Sequence, residues 1–169
     1  TPAEYIPGRG VQSRDLALAV PANLALTPGN TQISVAFDAV TGAGGSIGSE
    51  LCRQIAQFQP ATLVMLDRDE SALHALQLSL DGRGLLQDPG LTLADIRDYN
   101  RLLEVFLSER PEVVFHAAAL KHLTFLQRFP EEGLKTNVIG TDNVLRAARE
   151  ADAAIVVNIS TDKAADPCS

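Results

Sequence analysis

An α/β fold, with a doubly wound parallel sheet in strand order 3-2-1-4-5, follows from three features of the sequence. From Ile33 onward, short apolar runs alternate with longer amphipathic ones. The apolar runs lack the in-out polar alternation of half-exposed strands, so both of their faces are buried. A glycine-rich turn, Thr41-Gly42-Ala43-Gly44-Gly45-Ser46-Ile47-Gly48, joins the first strand to the first helix. Right-handed crossovers then place the ligand crevice at the carboxyl ends of the first and fourth strands, where the strand order reverses.

Residues 1–32 carry Pro2, Pro7, Pro21 and Pro28 and read as a lead-in arm; residues 33–169 read as one α/β domain. Its first strand is Val35–Val40, followed by a helix over Ser46–Phe58 with Ile47, Leu51, Ile55 and Phe58 inward. Thr62–Leu66 is the second strand, and a helix from Glu70 to about Leu80 turns Leu73, Leu76 and Leu80 inward. A loop with Gly82, Gly84 and Gly90 leads to a third strand, Leu91–Ala94. Asp98 caps the next helix, which buries Leu102, Val105 and Phe106. Glu112–Phe115 is the fourth strand. Pro130 suits the first position of a long helix running to about Ala151, and Ala154–Ile159 is the fifth strand. Asp38 conflicts with this layout, because a buried, unpaired carboxylate costs several kcal/mol. Either it finds a partner, such as one from the arm, or the strand begins later.

The chain's 169 residues suffice for one domain with a real core. A net charge of −7, with 14 basic residues in no dense run, argues against a nucleic-acid partner. No stretch reaches the roughly 18 apolar residues of a membrane span, and no secretory leader pattern is present. Cys52 and Cys168 are too few for a disulfide framework, and three histidines form no metal constellation. Cys52 reads as an inert buried thiol. The expected location is the cytoplasm, including as the cytoplasmic part of a larger membrane-attached protein.

Gly42, Gly45 and Gly48 have the spacing of a Rossmann-type dinucleotide turn. The first allows a sharp bend, the second lets backbone approach a pyrophosphate, and the third lets the helix pack closely. Amides at the helix start hold the anion, with Gly44, the Ser46 hydroxyl and Ile47 completing the cradle. Asp67 ends the second strand 19 residues past Gly48, where its carboxylate suits the adenosine ribose. Arg68 beside it suits a 2′-phosphate, so NAD and NADP both stay open, with a lean to NAD. Asp95 ends the third strand and can accept from the adenine amino group, with Ile96 beside the ring. Ala117 and Ala118, after His116, offer small side chains where backbone lies against a cofactor.

The segments Val40–Ile55 (VTGAGGSIGSELCRQI), Phe115–Leu123 (FHAAALKHL), Lys135–Val144 (KTNVIGTDNV) and Ile159–Ala164 (ISTDKA) resemble the extended short-chain dehydrogenase/reductase superfamily. Within it they resemble the polysaccharide-biosynthesis branch that holds UDP-N-acetylglucosamine 4,6-dehydratases and related nucleotide-sugar epimerases. The resemblance implies a UDP-amino-sugar substrate and a tightly held nicotinamide. The sugar C4 hydroxyl would be oxidised by hydride transfer, the C5 proton removed, the C6 hydroxyl lost as water, and the hydride returned to C6. Carried over from the family motif, Asp162 is the general acid and Lys163 the base, with Ser160 and Thr161 bonding the sugar hydroxyls. Lys121 is implied to approach both cofactor and substrate, and Asn137 to be an inward-facing polar residue of the substrate site.

The sequence also departs from the family. It has no Y-x-x-x-K: neither Tyr5 nor Tyr99 is followed by a lysine four residues on. Family members continue into a helix bearing a Tyr or Met and a Lys, then into a sugar-nucleotide lobe, so the chain as given is expected to bind cofactor without turnover. Its first strand reads Ala36-Phe37-Asp38-Ala39 where the family shows basic, then aliphatic residues. An uncovered fifth strand invites self-association, so a homo-oligomer is expected. A UDP-sugar 4-epimerase and a non-catalytic NAD(P)-binding module are the alternatives.

Overall fold

The computed structural model describes residues 37–82 and 84–160. The expected arm, Val35, Ala36, Cys168 and the Thr161-Asp162-Lys163 triplet lie outside the described residues.

Five parallel strands form one sheet in the order β3-β2-β1-β4-β5, as the alternation predicts. They are β1 (Phe37–Thr41), β2 (Thr62–Asp67), β3 (Leu91–Leu93), β4 (Val113–His116) and β5 (Ile155–Asn158). Between them run α1 (Ser46–Ala56), α2 (Glu70–Asp81) and α3 (Tyr99–Glu109). Between β4 and β5 lie α4 (Leu123–Arg128), α5 (Pro130–Gly133), a π-helical segment (Leu134–Gly140) and α6 (Thr141–Glu150).

Successive strand residues point to opposite faces of a sheet, and each face has its own core. Ala39, Val64 and Val114 pack with Phe106 of α3 and Val144 of α6. Val40, Met65 and Phe115 pack with Leu51 of α1 and Leu73 of α2 on the other face. Burial of a side chain the size of Phe106, fully enclosed here, contributes about 3 kcal/mol.

The first helix corrects the expected inward face. Gly48, Leu51, Cys52 and Ile55 are buried, whereas Ile47 is 44% and Phe58 69% exposed. At 100° per residue the stripe through 48, 51, 52 and 55 leaves Ile47 about a quarter-turn off its centre. Phe58 lies past the helix end, beside Gln59 in the left-handed region at φ 53°. Cys52 is fully buried, and burial pushes its thiol up to about 12, so it is an inert core residue.

The arm lies outside the described residues, and β1, though it begins at Phe37, still includes Asp38. Asp38 lies between Leu63 and Val113, 4% exposed, and its Oδ1 has no hydrogen-bond partner among the described residues. Burial, with the nearby Glu112 charge, pushes its carboxyl up to about 6.

The expected single long helix is three segments. The π-helical turn is where a side chain and a close backbone contact interrupt regular α geometry. Thr141 Oγ1 donates to the Asn137 carbonyl at 2.9 Å. A Cβ on Gly140 would lie 2.6 Å from Ile96 Cδ1, so the helix backbone presses directly on Ile96.

Candidate functional site

At the carboxyl ends of β1 and β4, where the strand order reverses, a cleft opens. It is lined by Gly42, Gly45, Asp67, Arg68, Asp95, Ile96, Ala117–Leu120 and Thr136. The sequence placed it there from topology alone.

Gly42 begins the floor with φ 73°, a backbone conformation that L side chains rarely adopt. A Cβ there would come within 2.6 Å of the Ala118 backbone, so floor and wall touch through glycine and alanine. Gly45 precedes the first turn of α1 without a side-chain cap, and that turn carries no acidic residue. The first amides of a helix have no intrahelical acceptor and carry the positive end of its dipole. Gly45, Ser46 and Ile47 are exposed. An anion therefore fits at the start of α1, and the residues present fit a dinucleotide diphosphate.

Asp67 ends β2 half-buried, and its carboxylate pins the loop. Oδ2 accepts from the Gly44 amide at 2.9 Å and Oδ1 from the Asp69 amide at 3.0 Å. An ionised carboxylate has about four acceptor positions, so two remain for ribose hydroxyls. The loop bond to Gly44 was not foreseen, because spacing reports which residue ends a strand and not what it grips.

Asp95 sits at the base of an ion cluster. Its Oδ1 accepts from the Arg97 amide, and its Oδ2 is 2.7 Å from Arg97 Nη2 and 3.8 Å from Arg68 Nη1. Burial pushes the Asp95 carboxyl up, but Arg97, helped by Arg68, more than offsets this and holds it below the usual range. Arg97 also bridges to Glu132 at 2.9 Å, joining the β3 loop to α5. Ile96 is buried, and its carbonyl accepts from Asn143 Nδ2 at 2.9 Å. Arg68 is thus drawn toward Asp95 as well as lying beside the cleft.

His116 is the residue the sequence reading passed over. It is 3% exposed, and its two ring nitrogens tie β4 to β1 on one side and to α6 on the other. Nδ1 is 2.7 Å from Thr41 Oγ1, and Nε2 is 2.9 Å from Thr141 Oγ1. Thr141 spends its hydroxyl hydrogen on Asn137 O. Its oxygen must therefore accept from His116 Nε2–H, leaving Nδ1 to accept from Thr41. Burial pushes the imidazole down to about 4, in keeping with this neutral form. A single histidine amid apolar strand residues carries no sequence signal of such a relay.

Asn137 Nδ2 donates to the Leu120 carbonyl and Oδ1 accepts from the Leu120 amide, both at 2.8 Å. The amide group grips the cleft wall at both backbone groups of Leu120. Asn137 thus steadies the cleft wall, where the sequence reading set it as an inward-facing residue of the substrate site. Lys121 follows that wall and is exposed, and Ser160 is exposed after β5. Catalytic candidates Thr161, Asp162 and Lys163 lie outside the described residues. Among the described residues no cluster of three metal-ligating side chains occurs, and no helix is long and apolar enough to cross a membrane.

The chain resembles known proteins in both sequence and fold. The family described as "Polysaccharide biosynthesis protein" matches residues 39–169. A probable polysaccharide biosynthesis protein of Bacillus subtilis, EpsC, is 39% identical over 162 residues, 95% of this chain and 27% of EpsC. The chain thus spans about a quarter of that relative's length. A UDP-glucose-4-epimerase from Stenotrophomonas maltophila, solved with bound NAD and formylated UDP-arabinopyranose, matches at TM-score 0.65 and 28% identity. That match covers 76% of this chain and 38% of the epimerase. A dTDP-glucose 4,6-dehydratase from Streptomyces venezuelae with bound NAD, DesIV, matches at 0.63 and 30%, covering 75% and 39% of the two chains. The sheet order, the glycine turn and the match over residues 39–169 together show that the chain belongs to the polysaccharide biosynthesis protein family, with the Rossmann-like fold of nucleotide-sugar epimerases and dehydratases.

Proposed function

We propose that this chain is the cofactor-binding part of a nucleotide-sugar 4,6-dehydratase of the UDP-N-acetylglucosamine type, working in surface polysaccharide biosynthesis. The observation that carries the reading is the uncapped start of α1 beside Asp67 and the small-residue wall Ala117–Ala118, one cleft with a diphosphate cradle and a ribose acceptor. NAD is the dinucleotide favoured, because Asp67 lies where a 2′-phosphate would meet a carboxylate and Arg68 leans to Asp95. NAD is also present in the two related structures above.

Gly42, Gly44, Gly45, Ser46, Ile47 and Gly48 would hold the diphosphate, Asp67 the ribose, and Asp95 with Ile96 the adenine. A nicotinamide supplies reversible hydride exchange with the sugar. Lys163 would remove the C5 proton once C4 is a ketone, and Asp162 would protonate the departing C6 hydroxyl. Lysine does this only with its pKa drawn well below about 10.4, through desolvation or neighbouring positive charge. Thr161, Ser160 and Lys121 would bond the sugar nucleotide. A cytoplasmic location and a homo-oligomeric assembly accompany this reading.

A 4-epimerase is the second reading, favoured by the fold match to an epimerase. Epimerisation needs no acid-base pair at C5 and C6, so solvent hydrogen exchange at C5 separates the two. In deuterated water the full-length protein should exchange C5 hydrogen of UDP-N-acetylglucosamine, and Lys163→Ala should abolish the exchange. Exchange that persisted in the variant would remove Lys163 as the base, and 4-epimerised product without exchange would favour the epimerase.

A further inference from the structure

We infer that Thr136 is a specificity residue for the adenine end of the bound dinucleotide, with its hydroxyl bonding the ring; this rests on the cleft holding a dinucleotide at all. Thr136 lines the cleft on the π-helical segment. It is 6% exposed, and its Oγ1 is buried with no hydrogen-bond partner among the described residues. A buried hydroxyl without a partner forfeits its hydrogen bonds to water and gets nothing back, so such an atom in a native fold calls for an explanation.

The surroundings point to the adenine end. Gly140, one helical turn further on, packs against Ile96, and Asn143 holds the Ile96 carbonyl. Asp95 and Ile96 line the same cleft as Thr136, and Leu120 beside them is fixed by Asn137. In the proposed pose the planar base lies between the apolar Ile96 and this wall. Asp95 can only accept hydrogen bonds when ionised, whereas a hydroxyl both donates and accepts. Adenine presents an amino donor next to ring-nitrogen acceptors, so Thr136 can match either group where Asp95 matches only the first. A helical threonine has two χ1 wells, and the proposed contact requires the one that turns the hydroxyl to the cleft.

The test is Thr136→Val, which keeps the shape and removes the hydroxyl, beside Thr136→Ser, which keeps it. In the full chain, calorimetric titration with NAD, 5′-AMP and nicotinamide mononucleotide is read with the thermal midpoint without ligand. Thr136→Val should leave the midpoint unchanged or raise it, since an unsatisfied buried group is lost. It should weaken NAD and 5′-AMP by about fivefold, the effect of one ordinary hydrogen bond, and leave nicotinamide mononucleotide unaffected. Thr136→Ser should bind NAD like the wild type. Equal NAD affinity in the wild type and Thr136→Val, or an equal penalty on both mononucleotides, would overturn the inference while leaving the dinucleotide cleft intact. A wild type that bound neither NAD nor 5′-AMP would remove the cleft reading itself, and this inference with it.

Discussion

Asn137 and Leu120 form a closed pair: the asparagine amide both donates to and accepts from the Leu120 backbone, at 2.8 Å each way. The pair fastens the segment after β4 to the π-helical turn, so the cleft wall is held from outside the sheet.

Asn137→Leu should break both bonds and leave two half-buried backbone groups short of partners. The expected cost is about 2 kcal/mol, or several degrees in thermal midpoint. NAD affinity should fall too, because the wall loses its anchor. A midpoint unchanged within error, with NAD binding intact, would show that Leu120 needs no such anchor.

His116 predicts an acid limb in stability. Its folded pKa, about 4, lies below the ordinary 6.5. As pH falls from 6.5 toward 4 the unfolded chain takes up a proton that the folded chain refuses, so stability is lost over that window. Between pH 7 and 5 the loss amounts to about 2 kcal/mol. Urea unfolding of the wild type and His116→Gln at both values reads it: the pH dependence should be smaller in the variant. Equal slopes would mean that the imidazole is not held neutral.

Asp38 predicts the opposite slope. Its folded value, about 6, lies above the ordinary 3.8, so the carboxylate form is penalised in the fold. Its contribution is most favourable below 3.8 and is lost as pH rises through 6. Asp38→Asn should therefore stabilise the protein by about 3 kcal/mol at pH 7, with the gain shrinking toward pH 4. A variant less stable than the wild type at pH 7 would imply a partner for this carboxylate.

Much of the fold was legible because burial imposes period. Unbroken apolar runs marked β2 and β4 as two-faced strands, and Leu102, Val105 and Phe106 showed the inner stripe of α3. Asp98 and the glycine turn were legible through local backbone chemistry, and the Asp98 side chain does accept from the Arg101 amide at 3.1 Å. The misses are non-local. The grip of Asp67 on Gly44 spans 23 positions, and the His116 bond to Thr41 spans 75. Neither leaves a periodic trace. The π-helical turn was equally hidden, since KTNVIG carries no helix breaker before Gly140 and the interruption comes from Leu120, Ile96 and Thr141. Ile47 and Phe58 show the complementary error, where apolar character was mistaken for inward position at a helix margin.

Asp67→Ala tests the loop grip and the ribose contact together. Removing the carboxylate frees the Gly44 amide and the ribose acceptor together, so NAD affinity should fall by at least about tenfold, as two charge-assisted bonds are lost. NADP, whose 2′-phosphate would meet Asp67, should suffer less. An equal loss for both dinucleotides would place the ribose elsewhere.

The most direct measurement is the amide chemical-shift map of the isotopically labelled chain during titration with NAD. Shifts are expected at Gly45, Ser46 and Ile47, where the first helical amides meet the diphosphate, and at Asp67, Ile96 and Ala117–Leu120. Shifts confined to the hollow at the other end of the sheet, around Pro60, Leu63 and Pro89, or no shifts at millimolar NAD, would contradict a dinucleotide cradle at the start of α1.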